Sequence, residues 1–155
     1  MGRWVRGNGK KWLLHIGGGE PSIYPGFIDL CEKLTQLHYL SINSNLAHRS
    51  IETFAERINP ECIHFINASL HYYERSNKHS LHDFVARVQK LRVRRFCVFV
   101  SSVMTPLLLR HFPEISKHFE SQGLFLIPKM IRGWFQGRFI PVHTPKTKSL
   151  SYANI

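Results

Sequence analysis

Residues 17–20 form a glycine-rich turn that ends in Glu20 and is followed by Pro21. A dinucleotide fingerprint would need a glycine at Ser22, and the stretch RGNGKKW lacks the leading glycine and the hydroxyl residue of a P-loop. A carboxylate here would repel a phosphate and attract a cation such as a ligand ammonium group, which glycine carbonyls can approach closely. Pro21 fits the first turn of a following helix. These residues leave two readings open, an ammonium-binding turn and a plain strand-to-helix connection.

The cysteines offer no local metal motif. Cys31, Cys62 and Cys97 are far apart, lie in apolar segments and form neither CxxC nor CxxxCxxC. We expect all three to be buried, reduced thiols.

The chain is strongly basic, with 21 Lys and Arg against 10 Asp and Glu and a formal charge of +11. This charge could attract a phosphate-rich partner. Its densest cluster, 87–95, lies where a helix is predicted to end, and cations are favourable there, so an ordinary solvated surface is preferred. No apolar run approaches the roughly 20 residues that span a bilayer, and no signal peptide is recognised, so we expect a cytoplasmic protein without a membrane partner.

Five apolar runs rich in β-branched and aromatic residues alternate with segments of helical periodicity. The predicted strands are 12–16, 39–43, 62–68, 95–101 and 124–127, and the predicted helices are 24–37, 47–58, 80–92 and 105–122. Thr105 should cap the last helix, and Pro113 should break or kink it. The repeated βα unit predicts an α/β protein with a parallel sheet, either an open doubly wound sheet or a barrel or partial barrel. We divide the chain into a basic lead (1–11), the α/β domain (12–133) and an irregular tail (134–155).

Both architectures place ligands at the carboxyl ends of the strands. The residues predicted to follow the strands are 17–21, 44–45, 69–71, 101–102 and 128–129.

The stretch HIGGGEPSIYPGFIDLCEKL resembles the GGE motif of the radical S-adenosylmethionine (SAM) superfamily. The segments YLSINSNL, INASLHYYE, RFCVFVSSV and GLFLIPKMIRG resemble later strands of that family's core, in order and spacing. The resemblance implies an incomplete (β/α)6 TIM-like partial barrel whose first βα unit is missing. It also implies a SAM site formed by Gly18, Gly19, Glu20 and Pro21 at the methionyl end, Ser44 and Asn45 beside it, Ser69, His71 and Ser101 near the ribose, and Ile127 and Pro128 beside the adenine.

The family's CxxxCxxC loop has no counterpart in this sequence. In the family, those thiolates hold a [4Fe–4S] cluster that cleaves SAM reductively to a 5′-deoxyadenosyl radical. Eleven residues precede the GGE strand and none is cysteine. The chain is therefore expected to contain no metal ligands and no catalytic residue. We expect a truncated reading frame, a split protein or a degenerate member that is inactive alone.

The partners follow from the same reading. Without a preceding strand, the GGE strand would leave a sheet edge for a complementing N-terminal chain or for self-association. The substrate is not predicted. The alternative function is a non-catalytic basic module that binds RNA or another polyanion. It ranks lower because no aromatic-basic RNA motif is present.

Overall fold

The computed structural model of the 155-residue chain describes residues 9–130 and the backbone of 133–135 and 138–140. Its main sheet consists of Leu13–Ile16 (β1), Tyr39–Ser44 (β2), Ile63–Ser69 (β3), Val98–Met104 (β4) and Leu126–Met130 (β5). The strands are all parallel and are arranged in the order β1-β2-β3-β4-β5. Because consecutive strands are neighbours and βαβ crossovers are right-handed, the connecting helices lie on one face of the sheet. This arrangement decides between the two predicted architectures, since a doubly wound sheet carries helices on both faces.

The helices are Phe27–Thr35 (α1), Ser50–Arg57 (α2), Tyr72–Asn77 (α3), Leu81–Val93 (α4) and Pro106–Glu120 (α5). Short 3-10 turns occupy Pro21–Ile23 and Pro60–Cys62. Helix α3 was not predicted, because its six residues are too few to show a hydrophobic period. Within residues 9–130, no helix is long and apolar enough to cross a membrane.

Helix α5 confirms one prediction and corrects another. Thr105 caps it as predicted, since its hydroxyl oxygen accepts a hydrogen bond from the backbone N–H of Leu108 at 3.1 Å. The helix does not break at Pro113, which lies exposed inside it. Ile115 and Phe119, beyond the proline, are buried at 5% and 1% exposure. Their packing outweighs the roughly 3 kcal/mol that a proline costs inside a helix.

The two faces of the sheet differ in character, because successive side chains of a strand point to opposite faces. The face toward the helices carries buried apolar residues, including Leu40, Ile42, Ile66 and Val100. We call the opposite face the inner face. Register and alternation give it His15, Ser41, Asn43, Phe65, Asn67, Ser69, Phe99, Ser101 and Ile127.

All five strands differ from their predicted bounds, three of them by one residue, so that Ser44 and Ser69 end β2 and β3 instead of following them, and two by more. Strand β4 begins at Val98 rather than 95, because the chain first reverses at the end of α4, with Arg95 at φ 66° and the N–H of Phe96 bonded to Leu91. Ser101 therefore lies inside β4 instead of at its end, and Ser102 follows it within the strand. Strand β5 is likewise shifted toward the C-terminus, so that Pro128 lies within it.

Part of the stretch predicted to be irregular is regular. Gly133–Phe135 (β6) and Arg138–Ile140 (β7) pair as antiparallel strands. The rest of that stretch, and the first eight residues of the predicted basic lead, lie outside the described residues.

Candidate functional site

The glycine turn lies at the carboxyl end of β1 and is exposed. Gly18 and Gly19 adopt φ values of +85° and +49°. A Cβ atom at either position would meet no atom within 4 Å, so space does not explain the glycines. The left-handed backbone does, because residues with a side chain are strained there.

The carboxylate of Glu20 joins this turn to the end of β2. Its Oε1 accepts hydrogen bonds from the backbone N–H and hydroxyl of Ser22, at 3.1 and 2.5 Å, and from the hydroxyl of Ser44 at 2.7 Å. Its Oε2 accepts from the backbone N–H of Asn45 at 2.5 Å. Pro21 begins the 3-10 turn that Glu20 caps. Two segments that are distant in sequence, residues 20–22 and 44–45, are thereby held together through one side chain.

The turn after β2 is locally fixed as well. The hydroxyl of buried Ser44 accepts a hydrogen bond from the N–H of Leu46 at 3.0 Å, and Asn45 Oδ1 accepts from the N–H of Ala47 at 2.8 Å. Leu46 is fully buried at φ 56°. Ser44 thus lies beside the glycine turn, with its hydroxyl engaged by Glu20 and by its own turn.

A row of polar side chains crosses the inner face next to this turn. The hydroxyl of Ser101 donates to Asn67 Oδ1 at 2.7 Å, and Asn67 Nδ2 donates to Asn43 Oδ1. His15 Nδ1 lies 2.9 Å from the hydroxyl of Ser41. Of these five residues, only Ser101 was predicted from the sequence as a site residue. Polar residues at alternate positions of otherwise apolar strands were the signal that could have found them.

A cavity of about 240 Å³ opens at the carboxyl ends of β3 and β4. Its lining includes two predicted residues, Ser69 and His71, together with Tyr72, Tyr73, Glu74, Ser102, Val103, Thr105 and Leu108. A smaller cavity of about 80 Å³ shares His71 and Glu74 and reaches Asn45. The pKa of exposed Glu74 is lowered, first by its hydrogen bond from Lys78 at 2.8 Å. His71 therefore borders both cavities, whereas Ser69 borders the larger one and Asn45 the smaller one.

Ile127 and Pro128 lie one strand further along the sheet. Ile127 pairs with Ser101, which pairs in turn with Ser69. Ile127 is 44% exposed, and Pro128 is also exposed. Because they are consecutive residues of β5, their side chains point to opposite faces of the sheet, Ile127 to the inner face. Ser101 is fully buried, with Ile127 and Ser69 as its partners on the neighbouring strands.

The three cysteines lie away from this site. Cys31 is buried within α1, and burial raises the pKa of its thiol to about 12. Cys62 is half-buried and Cys97 is exposed, which corrects the prediction of three buried thiols. Cys62 directly precedes β3 and Cys97 directly precedes β4, so both lie at the amino ends of the strands, opposite the end that carries the glycine turn. In residues 9–130 no three His, Cys, Asp or Glu side chains converge closely enough to hold a metal ion.

The basic cluster 87–95 is largely engaged by the protein itself. Arg87 donates to the carbonyl oxygens of Leu46 and Ala47, and Arg94 donates to that of Ala55. Arg92 donates to two further carbonyl oxygens. These arginines therefore stabilise loops and helix ends, whereas the sequence predicted an ordinary solvated surface.

No protein-family model matches the chain, and no curated protein matches it by sequence. Solved structures of the radical SAM enzyme anSMEcpe are similar in fold. Native anSMEcpe with bound AdoMet (SAM) superposes with a TM-score of 0.63 at 16% identity, over 84% of this chain and 42% of that one. The complex with AdoMet and Kp18Cys peptide gives 0.62 and 16%, over 83% and 42%. This chain thus spans about two fifths of the length of those structures. Its five-stranded parallel sheet and helices form an α/β fold similar to the partial TIM-like barrel of those structures.

Proposed function

We propose that this chain binds SAM at the carboxyl ends of its strands and is the SAM-binding part of a radical SAM enzyme. The observation that carries the proposal is the anchored glycine turn, in which Glu20 holds Gly18 and Gly19 against the end of β2. A fixed, exposed turn at this edge of a partial barrel is a preorganised ligand site.

The methionyl ammonium group of SAM is assigned to the backbone carbonyls of the glycine turn. A carboxylate offers about four lone-pair sites, and Glu20 accepts four hydrogen bonds from Ser22, Ser44 and Asn45. Three of these hydrogen bonds go to Oε1 and one to Oε2, so Oε2 keeps a lone pair for a donor such as the ammonium group. Glu20 is therefore assigned two roles, positioning the glycines and attracting the bound cation with its negative charge.

The remaining parts of SAM are assigned along the same edge. Ser69 and His71 provide a hydroxyl group and an imidazole within the larger cavity, which suits the ribose hydroxyls. Ile127 and Pro128 provide exposed apolar surface, which suits the adenine ring. Ser101 is assigned a supporting role, because its hydroxyl is buried and donates to Asn67.

The [4Fe–4S] cluster of radical SAM enzymes does not fit the thiols of this chain. Such a cluster needs cysteine thiolates that converge, whereas Cys31 lies inside a helix and Cys62 and Cys97 lie at the opposite sheet edge. No step through a cluster is therefore assigned to these residues. The proposal for this chain is SAM binding, with radical chemistry dependent on cluster ligands that it does not supply.

Isothermal titration with SAM tests this proposal, and two glycines provide a matched pair of variants. Gly18 and Gly123 both have positive φ and open space around the absent Cβ, but Gly123 lies in the turn before β5 at the opposite edge. Both alanine variants should be strained by about 1 kcal/mol. Gly18→Ala should weaken SAM binding about tenfold or more, a loss of about 1.4 kcal/mol, and Gly123→Ala should leave it within about twofold. Absence of binding by the unaltered chain, or equal losses in both variants, would refute the proposal.

A further inference from the structure

Two arginines from different helices converge on the turn that follows β2. Arg75 of α3 donates through Nη2 to the carbonyl oxygen of Asn45. Arg87 of α4 donates through Nη1 to the carbonyl oxygens of Leu46 and Ala47, both at 2.6 Å. Three consecutive carbonyls of one turn are thus bound by guanidinium groups. The turn's position depends on these contacts, because short turns contain few backbone hydrogen bonds of their own.

Asn45 is held from both sides. Its N–H donates to the carboxylate of Glu20, and its C=O accepts from the guanidinium of Arg75. One residue therefore separates the anion that anchors the glycine turn from a buried cation. A shift of the Asn45 carbonyl would turn the adjoining peptide groups and move the N–H away from Glu20.

The burial of Arg75 requires an explanation. The residue is 7% exposed, and among the described residues no carboxylate forms a salt bridge with it. Its guanidinium carbon lies 4.6 Å from the ring centroid of Phe84, and Nη1 is 3.4 Å from the Ser80 carbonyl oxygen. Burial lowers the pKa of Arg75 and Arg87 lowers it further, whereas the charges of Glu74, Asp83 and, least of the three, Glu20 raise it. A buried charge without an ion-pair partner is costly. The hydrogen bond that Arg75 donates to the Asn45 carbonyl oxygen accounts for its burial.

We propose that Arg75 is a positioning residue for the SAM site, because it fixes Asn45 and thereby holds Glu20 and the Gly18–Gly19 turn. The ligand part of this inference rests on the proposed function, whereas the link from Arg75 to Asn45 does not. No sequence pattern indicates this role for Arg75, since an arginine in a polar segment normally lies exposed.

The experiment compares Arg75→Met and Arg75→Lys with Arg92→Met. Methionine preserves much of the side-chain length without the charge, and lysine preserves the charge without the planar fork. Arg92 is a matched control, because it also donates to backbone carbonyl oxygens. Its acceptors, Val98 and Gly123, lie at the amino ends of β4 and β5, away from the proposed site. Thermal unfolding identifies variants of equal stability. Arg75→Lys supplies the result if Arg75→Met does not fold.

The first readout is the backbone amide of Asn45, followed by NMR in the absence of SAM. A hydrogen bond to a carboxylate moves this proton downfield and slows its exchange with solvent. Both Arg75 variants should reverse the shift and speed exchange about tenfold, whereas Arg92→Met should change neither. A folded Arg75 variant with an unchanged Asn45 amide would overturn the inference.

The second readout is the SAM dissociation constant. It should rise about tenfold in Arg75→Met, which corresponds to about 1.4 kcal/mol, and stay within about twofold in Arg92→Met. If the unaltered chain binds no SAM, the proposed function and the ligand part of this inference fail together, while the amide measurement still decides the link to Asn45. If SAM binds and Arg75→Met and Arg92→Met lose affinity equally, the positioning role is refuted and the proposed function stands.

Discussion

Replacement of Glu20 by alanine should destabilise the fold as well as the site. The substitution removes the acceptor of four hydrogen bonds, two of which come from the hydroxyl groups of Ser22 and Ser44. Ser22 and Ser44 are 0% and 2% exposed, so their hydroxyls have little access to bulk water. Leaving a buried donor unsatisfied costs about 1–3 kcal/mol. Of the two backbone donors, that of Asn45 belongs to a half-buried residue, where water can replace the carboxylate, whereas that of Ser22 is buried with its hydroxyl.

The two hydroxyl donors, those of Ser22 and Ser44, set the scale of the expected loss of stability. Water that enters the space left by the side chain recovers part of the loss, so we expect a decrease of about 3 kcal/mol in the free energy of unfolding. Domains of this size are stable by about 5–15 kcal/mol, so the variant should still fold. With a urea slope of about 2 kcal/mol/M, the midpoint should fall by about 1.5 M.

Glu32→Ala provides the control for this measurement. Glu32 also accepts two hydrogen bonds, from Arg57 at 2.8 and 2.7 Å, but the Arg57 side chain is 49% exposed. A solvent-exposed ion pair contributes about 0–1 kcal/mol. Equal urea midpoints for the Glu20 and Glu32 variants would refute the view that Glu20 anchors the turn.

Three further predictions follow from the same structure. Because burial raises the pKa of Cys31 to about 12, while a thiol in the unfolded chain ionises near 9, the free energy of unfolding should fall by about 1.4 kcal/mol per pH unit between these values. This contribution is complete below pH 9, and the difference in slope between the unaltered chain and Cys31→Ala in urea melts at pH 8–11 measures it. Arg95→Gly should stabilise the fold by about 0.5–1 kcal/mol, since Arg95 is exposed at φ 66°; a lower melting temperature would contradict this. Asn67→Ala should lower the free energy of unfolding by about 1–3 kcal/mol, because the fully buried hydroxyl of Ser101 loses its acceptor. Calorimetry that shows no loss of stability would contradict this.

Regular elements were accessible from the sequence because their signals are local. Apolar runs rich in β-branched and aromatic residues located the five strands, and the apolar spacing of α1, α2, α4 and α5 located four helices. The boundaries were less accessible. Arg95 and Leu46 adopt left-handed conformations without being glycine, so no glycine marks either turn.

The site was accessible only in part. The glycine turn was identified from residue types, because a carboxylate among glycines is unusual chemistry for a loop. The resemblance implied that Ser44 and Asn45 lie near Glu20, but it did not predict their hydrogen bonds to the carboxylate, which form only after β1 and β2 pair. The buried guanidinium of Arg75 follows from the packing of α3 against α4 and has no sequence signature.

The most direct test of SAM binding at the strand ends is a residue-by-residue map of where SAM acts on the chain. Titration of SAM into 15N-labelled protein, followed by NMR, reports each backbone amide separately. We predict that the largest shifts fall on residues 17–20, 44–45 and 69–71, which lie together at the carboxyl ends of β1, β2 and β3. Shifts concentrated at the opposite edge, around Asn59, Arg95 and Gly123, or no shifts at saturating SAM, would contradict it.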